Sequence, residues 1–111
     1  MDLKQYGFFS ELNYGDGNDG SLKNLISTEP QKDESRIVDY LKRGSVVCVC
    51  PGVSIDELST RRVIIGSLIF LTDGKWMWPS DLAYYVEKYH VKLCDEFLAH
   101  MSENQWAIPE L

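Results

Sequence analysis

The signatures of several common chemistries are missing from this chain. It contains no GxxxxGKS/T phosphate loop, no GxSxG nucleophile elbow and no HExxH zinc helix. The expectation is therefore a protein that is not an enzyme. No apolar run approaches the roughly 20 residues that cross a bilayer. The opening MDLKQYGFF lacks the basic-then-apolar order of an export signal. Both observations point to a cytoplasmic protein without membrane contact. Cysteine is scarce: three residues, an odd count without an export signal, read most simply as free thiols in a reducing compartment. Positive charge is also short, with 11 Lys and Arg against 17 Asp and Glu and a formal net charge of −6. That balance opposes nucleic-acid binding, which needs a positive field over the phosphates. It suits solubility or a cationic partner.

What is present is ordinary for a globular domain: 44% apolar and 25% charged residues. The 111 residues make a single domain, 1–111, large enough to bury a core. The chain is organised around TDGKWMWPSDLAYYVEKY, residues 72–89. Asp73-Gly74 favours a type I′ turn with positive φ at both residues, joining strands over 63–71 and 75–78. Pro79 cannot donate to a continuing ladder, so the second strand should stop there. Ser80 or Asp81 is placed to cap a helix whose apolar face carries Leu82, Tyr85, Val86 and Tyr89.

Elsewhere, Tyr6, Phe8 and Phe9 read as an edge strand or extended arm, and residues 13–20 as a surface loop. Calcium is not expected in that loop. Counting from Asp16, Gly20 falls where an EF-hand needs an oxygen side chain, and Ser27 where it needs a bidentate Glu. Ser21 is placed to cap a short helix bearing Leu22, Leu25 and Ile26. Asp33 should cap a helix over 34–43, with Gly44 as its left-handed terminator. SVVCVC, residues 45–50, reads as a strand covered on both faces and ended by Pro51-Gly52. Ser54-Ile-Asp-Glu57 has capping-box spacing and predicts a helical turn over 54–59. A last helix carries Cys94, Phe97, Leu98 and Met101, after which Trp106 and Ile108 dock the tail. The order helix-strand-strand-strand-helix-helix gives an α+β fold: a small, mainly antiparallel sheet with about three to five helices packed on it.

The candidate chemistry is thin. Cys48 and Cys50 share one face of a strand, but Cys-x-Cys within an apolar strand reads as core rather than as part of a zinc set with Cys94, His90 or His100. Cys94 follows His90 closely but holds the first apolar position of its helix, which argues against a Cys–His nucleophile pair. His100 lies off the apolar face and reads as a surface residue. No cofactor or metal is expected. Trp76 and Trp78 share a strand face, and packing under the 80–89 helix is the plain reading. The alternative is an aromatic platform for a partner, which Tyr84 could join.

Residues 72–101, with NYGDGNDGSLKNLI and IVDYLKRG, resemble a small bacterial family of solitary cytosolic proteins that share a TDG-x-W-x-W-P turn, a YYV helix and an eFlaH tail. The resemblance covers most of the chain. Where that pattern has Leu-Pro before the last helix, this chain has Leu93-Cys94, so Cys94 reads as a tolerated variant. Such small acidic proteins include immunity proteins of polymorphic and contact-dependent growth inhibition systems. The resemblance thus implies one-to-one binding and neutralisation of a cognate toxin, in particular a basic nuclease. Acidic residues expected on loops and helix starts (Asp16, Asp19, Asp56, Glu57 and Asp73) would steer that encounter, with Trp76 and Tyr84 holding the complex. An interaction or regulatory domain without a toxin partner is the alternative, and a small hydrolase the third reading.

Overall fold

A computed structural model of the chain describes residues 3–12 and 20–109. Their architecture is α+β. The strands are β1 (Lys4–Gln5), β2 (Ser45–Ile55), β3 (Ile64–Thr72) and β4 (Trp76–Pro79), and the helices are α1 (Glu34–Lys42), α2 (Asp81–Tyr89) and α3 (Asp95–Glu103). The sheet order is β1-β4-β3-β2. β1 runs parallel to β4, while β2/β3 and β3/β4 are antiparallel. None of the helices in the described residues is long and apolar enough to cross a membrane.

The hairpin of β3 and β4 forms where expected, but through different turn chemistry. Gly74 has positive φ (99°) and Asp73 does not. The Asp73 carboxylate closes the turn instead: Oδ1 accepts the Lys75 and Trp76 amides at 3.0 and 2.8 Å. The Thr72 hydroxyl donates to the Trp76 carbonyl and accepts the Gly74 amide. Pro79 ends β4, and Ser80 precedes α2. The Ser80 hydroxyl does not cap the helix, however. It accepts the Ile69 amide and donates to the Ser67 carbonyl, tying the helix start to β3.

The core lies between the β4 side of the sheet and the three helices. Trp78 is fully buried, its indole nitrogen donating to the Leu41 carbonyl at 3.0 Å, beside Tyr40 and Phe97. Leu82, Tyr85 and Val86 face inward from α2, and Ile37 and Leu41 from α1. Tyr6, Phe8 and Phe9 are buried, so the N-terminal arm does pack onto the body.

Gly44 ends α1 for a different reason from the expected one. It is absent from the left-handed glycines, and a Cβ there would lie 2.7 Å from the Trp78 ring and 2.9 Å from the Leu71 Cβ. The small residue is required by close approach, not by φ. Asp33 precedes α1 but is itself left-handed, and its carboxylate makes no capping bond. Ser21 likewise leaves capping to another residue. Glu11 accepts from the Ser21 hydroxyl and from the Leu22 and Lys23 amides at the 3-10 turn Leu22–Asn24.

The largest departure concerns β2. It is not covered on both faces: almost every residue from Ser45 to Val53 is exposed. It is the edge strand next to β3, and it continues past Pro51-Gly52 to Ile55 with register shifts after Val46 and Val49. Proline is tolerated there because an edge strand has one side without ladder bonds. The expected helical turn over 54–59 is absent as such. Ser54 and Ile55 belong to the strand, and the Asp56 carboxylate closes a tight turn by accepting the Leu58 and Ser59 amides.

Candidate partner-binding surface

Two of the acidic residues expected at the surface are interior locks. Asp73 is 2% exposed. Besides closing its turn, it accepts from the Tyr40 hydroxyl and lies 3.0 Å from His100 Nε2. Asn104 donates to the same Tyr40 hydroxyl at 2.9 Å. Burial, with the neighbouring Asp73 adding to it, pushes the Tyr40 phenol above its ordinary range. His100 is accordingly a part of this network and not the surface histidine expected. One carboxylate thus joins the hairpin turn to α1 and α3.

Asp56 is also 2% exposed. Its Oδ2 accepts from the Tyr84 and Tyr89 hydroxyls, both at 2.7 Å, with Lys88 Nζ at 3.7 Å. Burial alone would raise its pKa. The tyrosine and Leu58 hydrogen bonds and the Lys88 charge outweigh that and hold it below the usual carboxylate range. In return, burial and the bond to Asp56 push the Tyr89 phenol up to about 12. The Tyr85 hydroxyl completes the junction, donating to the Ile55 carbonyl and accepting the Glu57 amide. Asp56 therefore pins the end of β2 to α2.

Trp76 is no exposed platform either. It stacks on Phe97 at 4.6 Å, has Lys4 Nζ 5.4 Å above its ring, and is 6% exposed. Its edge borders an open depression of about 660 Å³ between β1 and α3, where Lys4 and Glu96 pair with each other. Glu57 and Tyr84 do reach solvent, Tyr84 partly. The Asp56 junction brings these two close together, whereas Asp73 and Trp76 belong to the hairpin end. Asp16 and Asp19 lie outside the described residues. So does most of loop 13–20, in which Gly15, Gly17 and Gly20 fall at GxGxxG spacing. A dinucleotide site needs a strand before such glycines and a full helix after them, and here a three-residue 3-10 turn follows.

The surface that sequence reasoning missed is the β2–β3 ribbon. Val46 and Val49 are 60% and 66% exposed, and Val47, Val53 and Ile64 are also open to solvent. No charged residue occurs in 44–55 or 63–72, while Lys42, Arg43, Arg61 and Arg62 flank these runs. An exposed apolar edge strand offers unpaired backbone groups and side-chain contacts to another chain. Pro51-Gly52 was the available signal, since proline inside a β-rich run marks an edge.

The cysteines divide the same way. Cys48 is exposed and Cys50 half-exposed on β2, so neither is a core residue. Cys94 stands just before α3, its amide donating to the Tyr6 hydroxyl, and His90 pairs with Glu34 at 2.8 Å. Among the described residues, no three His, Cys, Asp or Glu side chains gather as a metal set. No protein-family model, no curated protein and no solved structure matches the chain.

Proposed function

We propose that this protein is an immunity-type binding protein, which neutralises a cognate toxin by taking an extended, uncharged segment of it as an added strand along β2. The observation that carries the binding reading is the exposed, uncharged edge over Ser45–Cys50. Strand addition supplies main-chain hydrogen bonds for affinity and alternate side-chain contacts for selection. The valines at 46, 47 and 49 provide apolar contact on both faces of that strand. The toxin as partner class comes from the resemblance of residues 72–101. The net charge of −6 would speed encounter with a basic toxin, while the ribbon would govern release.

The test is to express the product of the neighbouring gene as the candidate toxin and measure one-to-one association at low and high salt, together with survival of cells making both proteins. Val46→Lys and Val49→Lys should accelerate dissociation and abolish protection. Their melting temperatures should barely change, since exposed positions shift stability by only about 0.5 kcal/mol. Reversing Glu57 should alter mainly the association rate. Unchanged kinetics in both valine variants would remove β2 from the contact. A β2-dependent partner other than a toxin would favour an interaction domain instead.

A further inference from the structure

We propose that Cys48 and Cys50 form a chelating site for one monovalent copper ion on the exposed edge of β2. Two residues along an extended strand advance about 6.7 Å, yet the two sulfurs are 3.9 Å apart. Both side chains therefore lean toward each other, next to the register shift between Val46 and Cys48. At a metal–sulfur bond of about 2.3 Å, a separation of 3.9 Å corresponds to an S–metal–S angle of roughly 116°. The thiolates can hold an ion there without backbone movement. Closing a disulfide instead would require the sulfurs to reach about 2.05 Å across a strand spacing at the limit of disulfide geometry.

The choice of ion follows from ligand type and number. Soft thiolates select monovalent copper over hard cations. Zinc sites draw at least three ligands from the protein. No third ligand is at hand among the described residues: His90 is held by Glu34, His100 by Asp73, and Cys94 lies at the start of α3. Monovalent copper accepts two thiolates, with a further position left for a solvent-borne ligand. Each thiol gives up its proton on binding, so two protons leave for each copper taken up and no electron is transferred. Copper is a strong enough Lewis acid to displace both protons.

The experiment is an anaerobic titration of the reduced, full chain with monovalent copper against a chromophoric copper(I) chelator. Thiolate-to-copper absorption in the ultraviolet is followed in parallel. Wild type should take one equivalent. Two thiolates on one strand act as a chelate, so Cys48→Ser and Cys50→Ser should each weaken binding by roughly 100-fold. Cys94→Ser should bind like wild type. Both β2 positions face solvent, so unchanged melting curves in the serine variants would exclude misfolding as the cause. The proposal is overturned if wild type takes no copper from the chelator, if either β2 variant binds within a few-fold of wild type, or if Cys94→Ser loses the ion. Equally tight, stoichiometric zinc would overturn the choice of copper.

Discussion

Asp73 shows how much of this fold depends on a single buried side chain. Its oxygens serve the Tyr40 hydroxyl, His100 and the amides of Lys75 and Trp76. Removing an acceptor from a buried network leaves each donor desolvated, which costs more than the bond itself contributes. Asp73→Ala should therefore destabilise the protein by about 3 kcal/mol or more in urea unfolding. Tyr40→Phe should cost about 1 kcal/mol, because it removes a donor but leaves the carboxylate paired. Two glycines make a matching contrast. Gly74→Ala places a Cβ at positive φ and should cost about 1 kcal/mol. Gly44→Ala drives a Cβ into the Trp78 ring and should cost about 1–3 kcal/mol. Thermal melting of both variants checks this. An unchanged Gly44→Ala would mean that the contact between the start of β2 and β4 is looser than described.

At the level of elements, the hairpin, α1 and α2 could be read from the sequence because their signals are local: a turn dipeptide, a terminating proline and apolar residues at helical spacing. β2 could not. SVVCVC has no polar alternation, and a run without alternation looks the same whether both faces are covered or both are bare. Which case holds depends on where the helices fall over the sheet, and local spacing does not encode that. Asp56 and Asp73 failed for a related reason. Both are turn-forming acids in the sequence, but their burial depends on partners such as Tyr84, Tyr40 and His100, which are distant along the chain. The exposure of β2 also reverses the reading of Cys48 and Cys50 as core residues. Cys48 should react rapidly with a thiol reagent in the native state, and Cys94 slowly, as peptide mapping after a brief pulse would show.

The 3-10 turn gives an element-scale pH effect. Burial alone would raise the Glu11 pKa, but the hydrogen bonds from Ser21, Lys23 and Leu22 prevail and hold it at about 2, against 4.5 unperturbed. A depressed carboxylate stabilises the fold above its unfolded pKa, and that stabilisation is lost as pH falls through the folded value. The stability gap between wild type and Glu11→Gln should thus be full above about 4.5 and vanish near pH 2. With allowance for solvent screening, it should be about 1 kcal/mol at neutral pH. A gap that is constant across this range would show that Glu11 does not cap the turn as a carboxylate.

Across the whole molecule, the charged groups and the apolar ribbon are separated. The helices carry surface ion pairs such as Lys42–Glu87 and Arg43–Asp39, while β2 and β3 carry no charge. Among the described residues, the three helices cover one end of the sheet and leave the β2 end bare, so a stabilised body carries an unpartnered edge. Asp56 and the α2 tyrosines pin one end of that edge, and the contact of Gly44 with Trp78 and Leu71 fixes the other. A strand held at both ends is already in the conformation a partner strand needs, so little ordering cost remains on binding. Amide hydrogen exchange, with and without the proposed toxin partner, tests this most directly. The account predicts that the outward-facing amides within Ser45–Cys50, those not bonded to β3, exchange rapidly in the free protein and become protected in the complex, with little change at the hairpin turn. Protection confined to α2, α3 or the hairpin turn, with β2 exchanging as before, would contradict it.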